Sequence, residues 1–396
     1  MSWETVALGS ACQKITDGSH NPPKGVGDSD YMMLSSKNIF DNEINFLNPR
    51  FLTKLDFEQE NRRTDVGVGD VLLTIVGTIG RAAVVEDSSP KFTLQRSVAV
   101  LRPDLEVMEP RFLMYLLQKM AGLLAQSGRG VAQKGIYLKQ LRDLRIPLPP
   151  LAEQKKIAAI LDAADQLRQK DQQLIDHYTA LSQFLFLDIF GSYFKDHSCY
   201  MAISEIAHFI DYRGKTPERV ESGVPLISAK CVRSGYFDKT RLDFISAKVY
   251  TKVMTRGFPK VGDVLFTTEG ATMGFTCRIP DGLSKFAVGQ RLITLQAKEE
   301  IFNNITLEFV LNSQETQGAI FKQATGSAAK GIRSAKFAKI LIPCPPIDLQ
   351  NNFKDKILMI EKQKRQSIAS LDKSQALFNC LLQKAFKGEL TSGKAV

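Results

Sequence analysis

The chain repeats its own pattern of residues after about 195 positions, and this internal repeat constrains the fold more than any other feature of the sequence. Residues 68–74 (VGDVLLT) return as 261–267 (VGDVLFT), Gln95-Arg96 return as Gln290-Arg291, and residues 134–136 (KGI) return as 330–332. Each copy then reaches a proline-rich hinge, at residues 146–150 and again at 342–346. Solenoid repeats are only about 20 to 50 residues long. Each copy is therefore predicted to be a complete domain with its own core.

Size and charge indicate what such a pair of domains could bind. The 396 residues are enough for two or three domains, with 44% hydrophobic and 24% charged residues, as in ordinary globular proteins. The formal net charge is +10. This excess of cations favours an acidic partner, above all nucleic acid. A basic surface without any polyanionic partner is the alternative.

The sequence offers little for a membrane, metal or disulfide function. No stretch approaches the roughly 18 to 20 apolar residues that span a bilayer, and the first residues lack the pattern of a signal peptide. We therefore expect a cytoplasmic protein with no membrane partner. The six cysteines and four histidines are scattered, which argues against zinc ligation and a disulfide framework. No metal site is predicted.

The order of predicted elements favours an α+β fold in each copy. Residues 71–76 and 97–101 are β-branched and apolar, as buried strands are, and residues 110–124 have helical spacing. The second copy repeats this order, with strands at 264–268 and 292–295 and a helix at 306–321. Strands and helices do not alternate in a regular βαβ rhythm, which argues against a doubly wound sheet. The two domains are predicted at 1–148 and 193–344.

A long helix is predicted after each hinge, over residues 149–192 and 345–390, leaving 391–396 as a tail. Gly191 and Gly388 are the predicted C-terminal caps. The apolar residues recur at heptad spacing, which predicts that the two helices pack as an antiparallel coiled coil and separate two similar domains in a pseudo-twofold repeat. The alternative is that each helix folds onto its own domain. The predicted packing residues are Ile157, Ile160, Leu167, Leu174, Tyr178, Leu181 and Leu185 in the first helix, with Ala164 and a polar interruption at Asp171, and Phe353, Ile357, Ile360, Leu371, Phe378 and Leu381 in the second.

Two motifs superficially suggest enzymes. Residues 21–24 (NPPK) resemble the Asn-Pro-Pro-aromatic signature of amino-methyltransferases, but the fourth residue is Lys24 and no glycine-rich cofactor loop follows a strand. Residues 214–216 (GKT) resemble the end of a P-loop, but Phe209 occupies the place of the required earlier glycine. No histidine recurs between the copies. Duplicated domains without a shared acid, base or nucleophile are typical of binding proteins, so no catalytic residues are predicted.

The whole chain resembles the specificity subunit of type I DNA restriction-modification systems. The motifs that carry the resemblance are Leu8-Gly9 followed by residues 17–22 (DGSHNP), their counterpart at 211–217 (DYRGKTP), the two Gly-Asp-Val-Leu segments, the turns at 77–80 (GTIG) and 272–274 (TMG), and residues 147–154 (PLPPLAEQ) opening a helix. The second hinge departs from the pattern, because residues 347–350 (IDLQ) keep only its glutamine.

The resemblance implies a non-catalytic subunit with two target recognition domains, each of which reads one half of a split, asymmetric site in double-stranded DNA. It implies that the helices fix the gap between the halves and dock two modification (methyltransferase) subunits, with ATP-driven restriction subunits joining the complex. S-adenosylmethionine, ATP and Mg would then belong to the partner subunits, with no cofactor in this chain. The alternative is a tandem scaffold that binds proteins.

DNA contacts are expected in loops that match between the copies. Lys and Arg there would neutralise phosphates, and the side chains that reach base edges would select sequence. The candidates are Ser19, His20, Lys24, Lys37, Asn38, Arg81, Gln95, Arg96, Arg129 and Lys134 in the first domain, and Arg213, Lys215, Lys230, Glu269, Gln290, Arg291, Lys330 and Arg333 in the second. Gln95-Arg96 and Gln290-Arg291 are shared by both copies, which suits a scaffold or phosphate role better than base choice.

Overall fold

The chain forms two compact units that each combine one predicted domain with half of each long helix. The computed structural model describes residues 3–87, 89–128, 135–212, 217–326 and 330–391. The first unit comprises Met1–Gln172 and Ile368–Val396, and the second comprises Gln173–Ser367. Each compact unit contains one predicted domain and a part of both long helices. Its limits therefore differ from the segment boundaries predicted at 148, 192 and 344.

Both units are built on a four-stranded antiparallel sheet with the same strand order. The strands of this sheet are, in spatial order, Cys12–Asp17, Val98–Pro103, Val71–Thr74 and Ala82–Val84 in the first unit and Ala207–Asp211, Leu292–Ala297, Val264–Thr267 and Thr276–Arg278 in the second. A second, three-stranded sheet follows the order Arg50–Phe51, Met32–Leu34 and Phe92–Leu94, or Asp243–Ile245, Val224–Ile227 and Ala287–Val288. The shared topology confirms the predicted internal repeat and the α+β class.

Smaller elements complete each unit. Two-stranded pairs join Thr5–Ala7 to Arg145–Pro147, Ile39–Phe40 to Glu43–Ile44, Tyr200–Ala202 to Leu341–Pro343 and Val232–Arg233 to Tyr236–Phe237. The shorter α-helices are Lys54–Thr64, Pro110–Lys119, Ala121–Ser127, Leu138–Arg142, Ile203–Ile206, Ala247–Val253, Asn304–Asn312, Gln314–Gln323 and Ser334–Phe337. The 3-10 turns are Leu8–Ala11, Gly191–Phe194, His197–Cys199, Ala229–Cys231 and Lys239–Arg241.

The central strands read as continuous apolar runs because both faces of the sheet are covered. Successive side chains of a strand point to opposite faces. Accordingly Val71 and Leu73 belong to the core that includes the long helices, whereas Leu72 belongs to a core beneath the three-stranded sheet. The second unit divides its strand in the same way, with Phe266 in one core and Leu265 in the other.

The repeated Gly-Asp-Val-Leu motif is a structural turn. Gly69 and Gly262 both have positive φ, +84° and +88°, which glycine adopts without steric cost. The aspartate that follows is buried, and its carboxylate accepts a backbone N–H from the start of the turn: Gly67 N to Asp70 at 2.8 Å, and Lys260 N to Asp263 at 2.7 Å. This requirement explains why the motif persists in both copies.

Each predicted helix after the central strands is broken into two. Residues 110–124 form Pro110–Lys119 and Ala121–Ser127, and residues 306–321 lie in Asn304–Asn312 and Gln314–Gln323. The first break lies beside the turn at Gly80, where a Cβ would come within 2.5 Å of the Ala121 Cβ. The second break is a new start, because the Ser313 hydroxyl accepts the N–H of Thr316 at 3.2 Å.

A buried glutamine ties each long helix to its own domain. Gln154 Nε2 donates to the carbonyls of Val107 and Pro149, both at 2.8 Å, and its Oε1 accepts the N–H of Glu109 at 2.9 Å. Gln350 makes the same three bonds in the second unit, to Ile301 O at 3.0 Å, to Pro345 O at 2.7 Å and from Asn303 N at 3.0 Å. This is why the second hinge keeps only its glutamine.

The long helices are Leu151–Phe190 and Ile347–Ala385, here named the central helix and the C-terminal helix. The first gives way to a 3-10 turn at Gly191, whose φ is not positive, and the second ends three residues before Gly388, where φ is +73°. At about 1.5 Å per residue, 40 residues make a rod of roughly 60 Å.

The two long helices pack against each other within each unit. In the first unit, Arg168 Nη1 donates to Gln375 Oε1 at 3.1 Å, and its guanidinium lies 4.9 Å from the centroid of the Phe378 ring. Thr391, beyond the end of the C-terminal helix, donates to the carboxylate of Glu153 near the start of the central helix. Earlier residues of the central helix therefore meet later residues of the C-terminal segment, so the two helices run antiparallel. In the second unit, the rings of Phe190 and Phe353 meet at 5.1 Å.

The predicted packing stripe of the central helix is half right. Its companion positions are buried or half-buried, namely Ile157, Ala164, Asp171, Tyr178 and Leu185. The predicted leucine positions are not: Ile160, Leu167, Leu174 and Leu181 are 37%, 46%, 44% and 42% exposed. The inward positions are instead one residue later, at Leu161, Arg168, Ile175 and Ser182.

The error has a physical reason, because the inward face is partly polar. Arg168 packs its guanidinium on an aromatic ring, and Asp171 and Ser374 are buried. A search for apolar residues at heptad spacing therefore selects the exposed leucines next to this face. The C-terminal helix turns the predicted side inward, with its predicted packing residues buried or half-buried at Phe353, Ile357, Ile360, Leu371, Phe378 and Leu381.

Candidate nucleic-acid interface

Three of the candidates in the first unit are brought together by backbone hydrogen bonds. Ser19 N donates to Leu94 O at 2.8 Å, and Arg96 N donates to Ser19 O at 2.9 Å. Ser19 and Gln95 form an isolated parallel bridge. The Ser19 side chain is buried, whereas Gln95 is half-buried and Arg96 is exposed. Ser19 is thus a structural residue of the cluster, and Arg96 is its exposed cation.

A buried carboxylate orients the loop that carries His20. Asp17 is 7% exposed and lies 3.0 Å from His20 Nε2 through its Oδ2. Its other oxygen accepts a hydrogen bond from Arg63 of the helix Lys54–Thr64. His20 and Arg63 are both half exposed around this anion. Sequence reasoning missed Arg63, because nothing local indicates that residues 46 positions apart will meet.

Lys24, Lys37 and Arg81 present positive charge on three loops of the first unit. Lys24 and Lys37 are exposed, and the proline loop beside Lys24 is held by Arg50, whose Nη1 donates to Pro23 O at 2.8 Å. Arg81 is half-buried, with its guanidinium 4.9 Å from the centroid of the Phe40 ring. Arg50 is a second cation that the sequence analysis missed.

Asn38 is a turn residue and not an available DNA contact as predicted. It is only 6% exposed. Its Oδ1 accepts the N–H of Ser35 at 3.1 Å, and its Nδ2 donates to the carbonyls of Asn45 at 3.0 Å and Leu47 at 3.3 Å. All of its polar atoms serve the loop, because an asparagine side chain readily satisfies backbone groups in turns.

In the second unit the candidates meet at a cleft of about 340 Å³. It is lined by Glu269, Gly270, Arg291, Thr325, Gly331, Ile332 and Arg333. Arg291 Nε donates to Glu269 Oε1 at 2.7 Å, and both side chains are more than half exposed. Lys330 adjoins the cleft, since its carbonyl accepts the N–H of Gly270 at 3.1 Å. Gln290 precedes Arg291 in the same turn.

Lys230 shares the carboxylate of Asp243 with Arg219. Its Nζ donates to Asp243 Oδ1 at 2.7 Å, and Arg219 Nε lies 3.3 Å from the other oxygen of Asp243. Arg219 was not foreseen. Four further candidates, Arg129, Lys134, Arg213 and Lys215, lie outside the described residues.

The described residues offer no cluster of metal ligands. No group of three or more His, Cys, Asp or Glu in the described parts of the chain could hold a metal ion. All six cysteines are free, and burial raises the pKa of the Cys12 thiol to about 12. No helix among the described residues is long and apolar enough to cross a membrane. Both units share one sheet topology and carry exposed basic side chains on their loops.

Comparisons with known proteins show which proteins the chain resembles. Residues 3–176 match the model of the type I restriction modification DNA specificity domain. Over 364 residues, 84% of this chain and 83% of the relative, the chain is 25% identical to the putative type I restriction enzyme MjaX specificity subunit of Methanocaldococcus jannaschii. It is 29% identical to the EcoBI specificity subunit of Escherichia coli over 151 residues, 37% of this chain and 31% of the relative.

The fold agrees with these matches. The crystal structure of the type I restriction-modification S subunit from M. genitalium superimposes with a TM-score of 0.62 at 15% identity, covering 98% of this chain and 96% of that one. At this identity the likeness concerns the fold alone. Together, the sequence matches and this fold support the predicted resemblance to type I restriction-modification specificity subunits. The curated relatives named above are specificity subunits.

Proposed function

We propose that this chain selects the DNA site of a type I restriction-modification complex, and that each unit reads one half of a bipartite, asymmetric sequence. The observation that carries the proposal is that the units share one sheet topology but differ at matched loop positions. His20 corresponds to Gly214, for example, and Val76 to Glu269. Two copies of one scaffold with different loop side chains suit two different half-sites.

Cations on these loops supply the attraction to DNA in this proposal. The exposed Lys24, Lys37 and Arg96 of the first unit, and Lys330 and Arg333 of the second, are suited to phosphates. Base choice would come from residues that differ between the units, because phosphate contacts position a protein without specifying sequence. Arg96 and Arg291 are shared and are therefore assigned to phosphates.

We further propose that the two long helices set the gap between the half-sites. A rod of roughly 60 Å is longer than the 34 to 36 Å of one DNA turn. The helices pair in the first unit and again in the second. A lengthening must therefore be made in both helices, for example by one heptad after Gln172 and one after Ser367.

The exposed apolar side of the central helix is proposed to dock the methyltransferase subunits. Ile160 and Leu167 lie on it in the first unit, and Leu174 and Leu181 in the second. Exposed apolar patches of this kind mark protein interfaces. In this proposal, two modification subunits bring S-adenosylmethionine, restriction subunits bring ATP and Mg chemistry, and the complex works in the cytoplasm.

Sequencing the methylome of cells that carry this chain and its partner subunits tests the proposal. The expected result is one methylated motif with two unlike halves and a fixed gap. The double heptad insertion should leave both halves unchanged and lengthen the gap by on the order of one to three base pairs, given about 1.5 Å per helical residue. A palindromic motif, or an unchanged gap, would contradict it.

A pull-down tests the docking surface separately. Leu167→Glu and Leu174→Glu place a charge on the exposed side and should abolish recovery of the modification subunit. Gln166→Glu is the matched control, since Gln166 is exposed on the same helix and is not three or four residues from any member of the apolar stripe. Equal recovery by all three variants would remove this surface from the proposal.

A further inference from the structure

The arginines of the two repeated Gln-Arg pairs, Arg96 and Arg291, have different neighbours. In the second unit Arg291 Nε donates to Glu269 Oε1 at 2.7 Å, with side chains 60% and 52% exposed. The counterpart of Glu269 in the first unit is Val76, because an antiparallel bridge joins Val76 to Gly135 and an equivalent bridge joins Glu269 to Gly331. Valine cannot form an ion pair. Among the carboxylates that the structure describes, none pairs with Arg96.

The backbone of the second unit is also unusual at this arginine. Arg291 has φ +74°, a conformation that non-glycine residues rarely adopt and that persists where the surroundings enforce it. Thr268 N donates to Arg291 O, whereas the corresponding Ile75 N donates to Ser97 O, both at 2.9 Å. Arg291 therefore occupies the backbone position of Ser97, although the two Gln-Arg pairs match in sequence. The guanidinium beside Glu269 thus has no arginine counterpart at the same backbone position in the first unit.

We propose that Glu269 competes with DNA phosphates for Arg291 and so weakens the second unit's hold on non-cognate DNA. The inference rests on the DNA-binding function proposed above. A carboxylate and a phosphate engage the same N–H groups of a guanidinium, so Arg291 bonded through Nε to Glu269 is partly occupied. The uncompensated carboxylate also repels phosphates once the arginine leaves it.

The competition favours correct sites. An exposed ion pair is weak, on the order of 1 kcal/mol or less, so a half-site that offers additional base contacts can displace Glu269. Random DNA offers only phosphates and gains less from the exchange. Specificity is a difference of affinities, and a repulsive group directed against the wrong partner increases that difference. Glu269 is thus a specificity-determining residue, while Arg96 in the first unit binds phosphates without this restraint.

Binding of the full-length chain to short duplexes of random sequence, followed by fluorescence anisotropy over a series of salt concentrations, tests the inference. Glu269→Gln should bind about three- to tenfold more tightly and steepen the salt dependence by about 0.9, the value for one additional phosphate contact. Glu300→Gln is the matched control, because it removes one exposed carboxylate from the same unit without touching an arginine. Its affinity should change by less than about twofold.

Two more variants separate competition from simple charge removal. In the Arg291→Ala background, Glu269→Gln should give no gain, since the arginine that it releases is missing. Val76→Glu adds a carboxylate to the first unit, where Ser97 occupies the position of Arg291, so it should leave the salt dependence nearly unchanged. Circular dichroism melting of each variant confirms that it is folded.

The outcomes separate this inference from the function on which it rests. If the parent chain binds no DNA, even with its partner subunits present, the proposed function fails. If the parent binds but Glu269→Gln matches Glu300→Gln, or gains equally without Arg291, the competition is refuted. A loss of affinity in Glu269→Gln would also overturn it, because Glu269 would then contact DNA itself.

Discussion

Replacing Gln154 by alanine tests whether one buried side chain fastens the central helix to its domain. The change removes two donated hydrogen bonds, to Val107 O and Pro149 O, and one accepted bond, from Glu109 N. Gln154 is fully buried, so water cannot readily replace it. At about 1 to 3 kcal/mol for each unsatisfied buried group, partly relieved by local adjustment, we expect a loss of about 3 to 5 kcal/mol.

Hydrogen exchange measured peptide by peptide is the appropriate assay, because a chain of two units does not unfold in one step. A loss of 3 kcal/mol speeds exchange limited by unfolding of the unit by about 100-fold. Residues 107–112 and 154–161 should show this effect, while residues 301–307 of the second unit should not. Gln350→Ala should reverse the pattern.

Gln154→Glu provides a stricter version of the test. It keeps the volume but places a carboxylate against two carbonyl oxygens, so it should destabilise the first unit at least as much as alanine. An effect below about 1 kcal/mol in Gln154→Ala would mean that the three bonds add little to the hinge. Equal acceleration in both units would show that the fastening is not local.

Three further changes follow from individual contacts. Burial raises the pKa of Asp263, so the native state binds the carboxyl proton more tightly than the unfolded chain does. The second unit should therefore lose stability as pH rises through the native pKa. Gln296→Arg should lower the pKa of Asp263 and reduce this loss, which melting temperature measured against pH would show. Gly80→Ala would place a Cβ on a residue with φ +99° and 2.5 Å from the Ala121 Cβ, so it should cost about 1 to 3 kcal/mol. Gly122→Ala has open space in a helix and should stabilise the first unit by about 0.5 to 1 kcal/mol. Thermal unfolding measures both changes. Phe186→Ala should cost about 3 to 5 kcal/mol in the second unit, because its buried ring packs on three other phenylalanines besides Phe190; exchange confined to that unit checks it.

Much of the fold could be predicted because the same sequence pattern occurs twice in the chain. The strands at 71–76 and 264–268, the α+β class and both long helices follow from apolar runs and heptads that recur in order. The inward face of the central helix could not be predicted, because the spacing of apolar residues does not show that Arg168 packs on an aromatic ring. The exposed leucines next to the inward face have the same heptad spacing, one residue before the positions that are buried or half-buried.

The candidate site was predicted less completely, since its contacts are long-range. The turns around Arg96 and Arg291 were found from the repeat, but Arg63 meets Asp17 only through the tertiary fold. Asn38 was a polar loop residue by every local criterion, yet the loop uses all of its hydrogen-bonding groups. Local sequence shows which residue types a loop contains and leaves open which of them the loop itself consumes.

The internal repeat therefore has two distinct meanings. Positions that both copies keep, such as Gln154 with Gln350, satisfy backbone groups that any copy of this scaffold must satisfy. A residue that must serve both units cannot by itself distinguish two half-sites. Positions where the copies differ on the same backbone, such as Val76 and Glu269, have no such obligation. If the chain reads two unlike sequences, its specificity must reside among these differences, and exchanging them between units should transfer preference while leaving the scaffold intact.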